Sequence, residues 1–277
     1  MPIAAFALVL AAAVLHAVWN LAAKRAAGNL GVFWLGLCLA GLLLAPFAVL
    51  AEPSGRDAAG LPYLLATAAI HTVYFSLLAA AYRRGQISVV YPLARGTGVA
   101  GTALVAWAFL GESLSAAGAA GILAVCAGTL LLGAGARGDA RSALLAFLVG
   151  LTITGYSAVD KLGVRHFSPV IYVAGLAAGT AVLLAPYVLL ARRRECLDAW
   201  RRRKGQSLWV GLGSVGTYLL VLWAFQQAPA SYVVAVRESS VVLATLLGVV
   251  VLKEPMTWRK GVSVAAIAVG VVLIKVA

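Results

Sequence analysis

Apolar residues gather in ten runs, at about 2–23, 30–50, 61–82, 87–110, 115–134, 142–161, 169–190, 207–226, 231–252 and 257–275, parted by short polar breaks. Each run is close to the ~20 residues that a helix needs to cross about 30 Å of hydrocarbon. None shows the alternation over ~10 residues that marks a membrane β-strand, so a barrel is not predicted. The sharpest breaks are Glu52-Pro53-Ser54-Gly55, Gly133 to Gly138, and the charged run from Arg192 to Lys204. No connection is long enough for a separate domain. The first run lacks a basic leader and passes straight into further runs, so it reads as the first helix rather than a cleaved signal. The pattern predicts an all-α membrane protein of ten transmembrane helices.

The last five runs echo the first five. His71 to Tyr82 aligns with Ser214 to Phe225, and Ser88-Val89-Val90 with Ser231-Tyr232-Val233-Val234. After a one-residue slip, Arg95 falls on Arg237, Glu112 on Glu254 and Gly128 on Gly270; upstream, Trp19-Asn20 and Lys24 fall near Tyr156-Ser157 and Lys161. A unit with an odd number of spans ends on the side opposite its start, so a second copy runs upside down. The expectation is two inverted five-helix repeats, 1–134 and 142–277, with a pocket between them.

Composition narrows the class. The chain is 63% hydrophobic and 11% charged, with a mean hydropathy of +0.98, more apolar surface than 277 residues of soluble domain could hide. A net charge of +13 could suggest nucleic acid. The Lys and Arg residues instead sit in short connections beside the spans, as on the cytoplasmic face of membrane proteins. Such loops attract anionic lipid, and no nucleic-acid partner is expected. Sixteen of the 22 basic residues fall on one side and four (Arg56, Lys161, Arg165, Lys275) on the other, which puts both termini outside. Cys38, Cys126 and Cys196 are dispersed and odd in number, giving neither a disulfide framework nor a metal pair.

Two glycine motifs match the dinucleotide fingerprint, Gly96-x-Gly98-x-x-Gly101 and Gly211-x-Gly213-x-x-Gly216. The fingerprint needs a strand before it, which a membrane span does not supply. Close helix packing explains these glycines, and Gly175 and Gly179, more simply. No nucleophile elbow, zincin motif or phosphate loop occurs, so no catalytic residue, metal or cofactor is expected.

Several landmarks carry a family resemblance: Trp19-Asn20 with Lys24, Leu110-Gly111-Glu112-Ser113-Leu114, and its second copy Leu252-Lys253-Glu254-Pro255-Met256. Each copy precedes a small-residue helix (Gly118, Gly121, Gly128; then Gly261, Gly270). Over essentially its whole length the chain resembles the drug/metabolite transporter superfamily, in particular the ten-span branch built from two EamA repeats. That family usually reads Trp-Gly where this chain has Trp19-Asn20, and with His16 the departure resembles a subgroup associated with phosphonate metabolism. The resemblance implies cytoplasmic termini, against the charge count, so orientation stays open.

Arg95 and Arg237 are the most informative residues. A mid-span charge costs roughly 2.5–3.5 kcal/mol on insertion scales, so both should face the interior or a wet cavity. Their guanidinium forks suit carboxylate, phosphate or phosphonate. The alternative is structural, with Arg237 neutralised by a carboxylate and Arg95 capping carbonyls. Pro92 should break the fourth span by freeing the Ser88 carbonyl, and Ser88, Tyr91, Pro92 and Arg95 share a face. His16, Asn20 and Lys24 share a face in span one with Trp19 beside them; Tyr63, Thr67, His71 and Tyr74 do so in span three. Proton coupling is open to His16, His71, Glu238 or Asp160, the last of which could instead be paired with Lys161. Glu112 and Glu254 read as caps of the helices that follow them.

The expected function is a secondary transporter of the inner (plasma) membrane that moves a small polar, anionic metabolite by alternating access. Its binding residues would be Arg95, Arg237, His16, Trp19, Asn20, His71, Tyr74, Tyr91 and Glu238. The alternatives are a membrane-embedded enzyme acting on a phosphate-bearing or lipid-linked substrate, and a multidrug exporter.

Overall fold

Hydrocarbon offers no partner for backbone N–H and C=O groups, so an apolar run in lipid must satisfy them internally, as a helix does. In the computed structural model every one of the ten apolar runs is helical. The structure describes residues 1–26, 29–50, 57–134, 139–253 and 255–277, with the side chains of 20–25, 87, 248, 251 and 252 outside the description. Glu254 and the side chains of Asn20 and Lys24, all singled out in the sequence, therefore lie outside the described residues.

The first half comprises α1 (Ile3–Arg25), α2 (Leu30–Leu50), α3 (Leu61–Arg84), α4 (Ile87–Phe109) and α5 (Ala116–Gly133). The second comprises α6 (Ala140–Gly163), α7 (Pro169–Pro186), α8 (Arg193–Arg202), α9 (Lys204–Gln227), α10 (Ala230–Val236), α11 (Ser239–Leu252) and α12 (Trp258–Val276). No strand occurs among the described residues. Helix starts follow from their caps: the side chains of Ser115, Asp139, Ser168 and Thr257 each accept a backbone N–H three residues on.

Eight helical stretches among the described residues are long and apolar enough to cross a membrane, and Ile3–Trp19 is a shorter apolar one. Large apolar side chains such as Leu42, Phe47, Leu50, Trp107, Phe109 and Leu190 are exposed, as lipid-facing positions should be. The charged run from Arg192 to Lys204, read in the sequence as a connection, contains the short polar helix α8. Glu195 of α8 accepts the backbone N–H of Leu30 at 2.8 Å and so caps the start of α2.

Packing relates the halves by exchange. α5 packs on α12 and α2 on α7; α1 packs on α9, α10 and α11, while α6 packs on α3 and α4. The α5–α12 crossing and a further one, α2 on α9, rest on glycine pairs. Gly121 faces the backbone of Gly270 in α5–α12, and Gly36 faces that of Gly211 across α2–α9; a methyl group at any of the four would meet backbone.

One expectation about the spans is reversed. α4 runs unbroken through Pro92, which lies within its first two turns and packs its ring over Gly133. So close to a helix start, little of the hydrogen-bond ladder is lost. The break occurs in the second copy, which has no proline there: α10 ends at Val236 and α11 begins at Ser239, with Arg237 and Glu238 in the turn. Around it the bonding tightens to three-residue steps, Glu238 N–H to Ala235 C=O at 3.0 Å and Val241 N–H to Glu238 C=O at 2.8 Å.

Candidate functional site

The two interior arginines hold equivalent places in the repeat and have different surroundings. Arg95, on α4, is 6% exposed. Its Nε donates to Glu238 Oε2 at 3.1 Å, and its Nη2 lies 2.5 Å from Oε1 as an ion-pair contact without hydrogen-bond alignment, across the repeats. Arg237 is 4% exposed, and its Nε and Nη2 have no hydrogen-bond partner among the described residues. The structural alternative for these residues is thus realised with the partners exchanged: Glu238 neutralises Arg95, not its neighbour Arg237. From the turn between α10 and α11, the Glu238 carboxylate reaches across to α4.

A cavity of about 70 Å³ lies beside both arginines. α1 supplies His16 and Trp19, α3 supplies His71, Tyr74 and Phe75, α6 supplies Tyr156, and α9 supplies Ser214, Thr217 and Tyr218. A second cavity of about 30 Å³ shares His16, Trp19, Tyr74 and Arg95 and adds Tyr91. About 10–15 Å³ of cavity admits one water. The larger space therefore takes several waters or one small polyatomic anion.

Polar contacts orient the walls. Tyr91 Oη and His16 Nε2 are 3.4 Å apart, and His16 meets the Trp19 ring edge-on at 5.0 Å. The Arg95 guanidinium lies 6.0 Å from the Tyr91 ring centre. His71 stacks on Tyr156 at 4.4 Å, and its Nδ1 is 3.1 Å from Thr67 Oγ1 and 3.0 Å from the Thr67 carbonyl oxygen. Trp19 Nε1 and Thr217 Oγ1 are further buried polar atoms of the wall without a hydrogen-bond partner among the described residues.

Behind this wall sits Asp160, fully buried. The Tyr172 hydroxyl donates to its Oδ1 at 2.8 Å, the Tyr218 hydroxyl donates to its Oδ2, and Thr67 reaches it as well. Lys161 is not its partner. The ammonium donates instead to the carbonyls of Phe225 and Ala228, at the end of α9. Glu112 also acts across the repeats rather than on the helix that follows it. It accepts the N–H groups of Ala230 (2.5 Å) and Ser231 (3.2 Å) and the Ser231 hydroxyl (2.7 Å), capping α10. The next helix, α5, is capped by Ser115.

The arrangement is an aromatic-walled hollow beside a buried guanidinium whose Nε and Nη2 have no hydrogen-bond partner among the described residues. Comparison with known proteins places it. The EamA-like transporter family matches residues 3–134 and again residues 140–276. The chain belongs to the EamA-like transporter family. It is a multi-pass integral membrane protein with the family domain present twice. A protein of known crystal structure superposes on 100% of this chain and 98% of its own with a TM-score of 0.74 at 20% sequence identity, a likeness of fold. No curated protein matches the sequence.

Of the residues the sequence proposed for this transporter's site, His16, Trp19, His71, Tyr74, Arg95 and Arg237 line the larger cavity, and Tyr91 lines the smaller. Glu238 stands behind Arg95. Tyr63 is elsewhere, stacked on His166 at 5.5 Å. There the His166 ring and the Ala59 N–H hydrogen-bond Asp57 and hold its carboxyl below the ordinary range. Sequence reasoning passed over Tyr156, Thr217 and Tyr218. Their signal was the repeat itself, since Tyr156 aligns near Trp19, and Thr217 and Tyr218 fall in the stretch aligned with His71 to Tyr82.

Proposed function

We propose that this protein is a secondary transporter of the plasma membrane that carries a small anionic metabolite by alternating access. Its two five-helix repeats, 1–134 and 142–277, are taken to cross the membrane in opposite senses, ten spans in all. α12 completes the ten, with Arg259 and Lys260 at one end and Lys275 at the other, where long side chains can snorkel to the interface.

One observation carries the reading: the buried Arg237 guanidinium beside the cavity, without a partner among the described residues. An unpaired buried cation is costly, and a guest anion that accepts its donors removes that cost. Carboxylate, phosphate and phosphonate all present the paired oxygens that the fork fits. Arg95, already clasped by Glu238, is the scaffold of the site rather than its ligand. His16, His71, Tyr74 and Tyr91, with Trp19 and the span bearing Asn20, set shape and hydrogen bonding around the guest.

The test is thermal stabilisation of purified protein by inorganic phosphate, methylphosphonate and acetate, with tetramethylammonium as the cationic control. A bound anion at about 100 times Kd stabilises by roughly 2.7 kcal/mol. Hydrogen bonds to charged groups are worth about 1.5–3 kcal/mol, so Arg237→Ala should weaken anion binding by roughly 10- to 100-fold. Equal anion binding by Arg237→Ala and the parent sinks the assignment.

A further inference from the structure

The hydrogen bonds behind the cavity form a line that anion binding alone does not use. His71 lines the cavity, its Nδ1 meets Thr67 Oγ1 at 3.1 Å, and Thr67 reaches the carboxyl of Asp160. In a neutral imidazole only one nitrogen carries a proton, so with Nδ1 turned to Thr67 the opposite nitrogen, Nε2, is the one left for the cavity. We infer that Asp160 is a proton-binding site that exchanges with the cavity through Thr67 and His71, so that a proton is carried with the anion on Arg237. The inference rests on the proposed anion reading for its second half only.

Asp160 is suited to two charge states. It is fully buried, near the end of α6, where a helix dipole disfavours negative charge. The groups packed on it are neutral hydroxyls: Tyr172 from α7, Tyr218 from α9 and Thr67 from α3. His71 stands beyond Thr67, and the Lys161 ammonium on its own helix is drawn to the Phe225 and Ala228 carbonyls. Two hydroxyls donate to its oxygens and serve the anion, and either oxygen could instead carry a proton. Arg237 lines the same cavity as Tyr218, whose hydroxyl donates to Asp160. An anion on Arg237 removes the positive charge that favours an ionised Asp160, and so promotes proton uptake. By linkage the proton favours the anion equally.

The transfer balances in both directions. Cavity water gives a proton to His71 Nε2, the Nδ1 proton passes to Thr67 Oγ1, and the hydroxyl proton of Thr67 passes to Asp160. When the cavity opens to the other side the same three steps reverse, and Nε2 returns a proton to water.

Difference infrared spectra between acidic and alkaline buffer test the site without any substrate. A protonated-carboxyl band that vanishes in Asp160→Asn assigns the proton; a spectrum unchanged by that variant overturns the inference. Phosphate added at constant pH should then strengthen the band in the parent and not in Arg237→Ala. Phosphate binding, seen by thermal shift, with no change in the band rejects coupling and leaves the anion site intact. A titrating Asp160 in a protein that binds neither phosphate nor methylphosphonate keeps the proton site and rejects the anion reading. In vesicles loaded with a pH-sensitive dye, Thr67→Val should slow phosphate-driven proton entry several-fold while leaving the equilibrium band in place. Unchanged entry rules out the relay through Thr67.

Discussion

The span carrying Arg95 and the span carrying Arg237 began as one sequence and are now built differently. The first copy has proline in its second turn and stays continuous; the second has no proline and is divided at Arg237 and Glu238. The continuous span holds the paired arginine, and the divided one holds the arginine without a partner. The break also supplies the carboxylate, because the turn at 237–238 aims Glu238 back at α4. The two copies carry arginine at equivalent positions of the repeat. The residue after it is glutamate in one copy and Gly96 in the other, and that single glutamate pairs with the arginine of the opposite copy.

The largest effect expected from this contrast is on stability. Arg95→Ala strands the buried Glu238, and breaking a buried pair from one side costs about 3–5 kcal/mol. Adding Glu238→Gln removes the stranded charge and should recover most of that loss. Arg237→Ala removes a cation that has no partner to strand, so its unfolding transition should stay where it is or rise. Thermal unfolding in one detergent compares the three variants directly. Equal destabilisation by the two alanine variants would erase the distinction between the copies.

A smaller loss is expected at the junction that holds the divided span in place. Glu112 accepts three hydrogen bonds from the start of α10, whose other end carries Arg237. Glu112→Ala leaves two backbone donors and a hydroxyl unserved, at a cost of about 1.5–3 kcal/mol. It should also weaken phosphate binding by loosening the helix that positions Arg237, whereas Glu112→Gln keeps acceptors in place and should lose less of both. Destabilisation with unaltered phosphate affinity would detach this cap from the site.

These two residues also mark where the sequence was legible and where it was not. The runs of apolar residues give the helices closely, the eighth at 207–226 against Lys204–Gln227, because lipid leaves a chain no other way to satisfy its backbone. The charged α8 escaped that reading, since a short polar helix has no apolar run to announce it. The break at Arg237 and Glu238 escaped it too, for neither proline nor glycine marks the spot. The cavity-lining residues on α1, α3 and α4 were visible as polar groups sharing a face of an otherwise apolar helix. Their partners were not. The sequence suggested a carboxylate for Arg237, Lys161 for Asp160 and the following helix for Glu112; in the structure the carboxylate of Glu238 meets Arg95, and Asp160 and Glu112 also make their contacts on other helices. Pairing between helices far apart in the chain depends on how they pack, which a linear pattern does not encode.

The smallest expected difference sits at the turn that follows each of these spans, where the copies share a backbone shape and differ in residue. Gly111 has φ of 67° and Lys253 has φ of 57°, so both adopt the left-handed conformation. For a residue with a Cβ that conformation costs roughly 1–2 kcal/mol, and glycine avoids it. No atom lies within 4 Å of the Cβ that Gly111 lacks. The penalty of Gly111→Ala is therefore conformational, about 1 kcal/mol after allowing for the less flexible unfolded chain. Lys253→Gly runs the exchange backward. The relief of strain exceeds the added unfolded-state freedom by only about 0.5 kcal/mol, so a slightly higher unfolding midpoint is expected. Opposite signs for the two substitutions, read in the same thermal assay, would show that the second copy retains a strained turn that the first avoids through glycine. A loss of stability in Lys253→Gly would mean that the lysine side chain makes contacts worth more than the strain of its backbone.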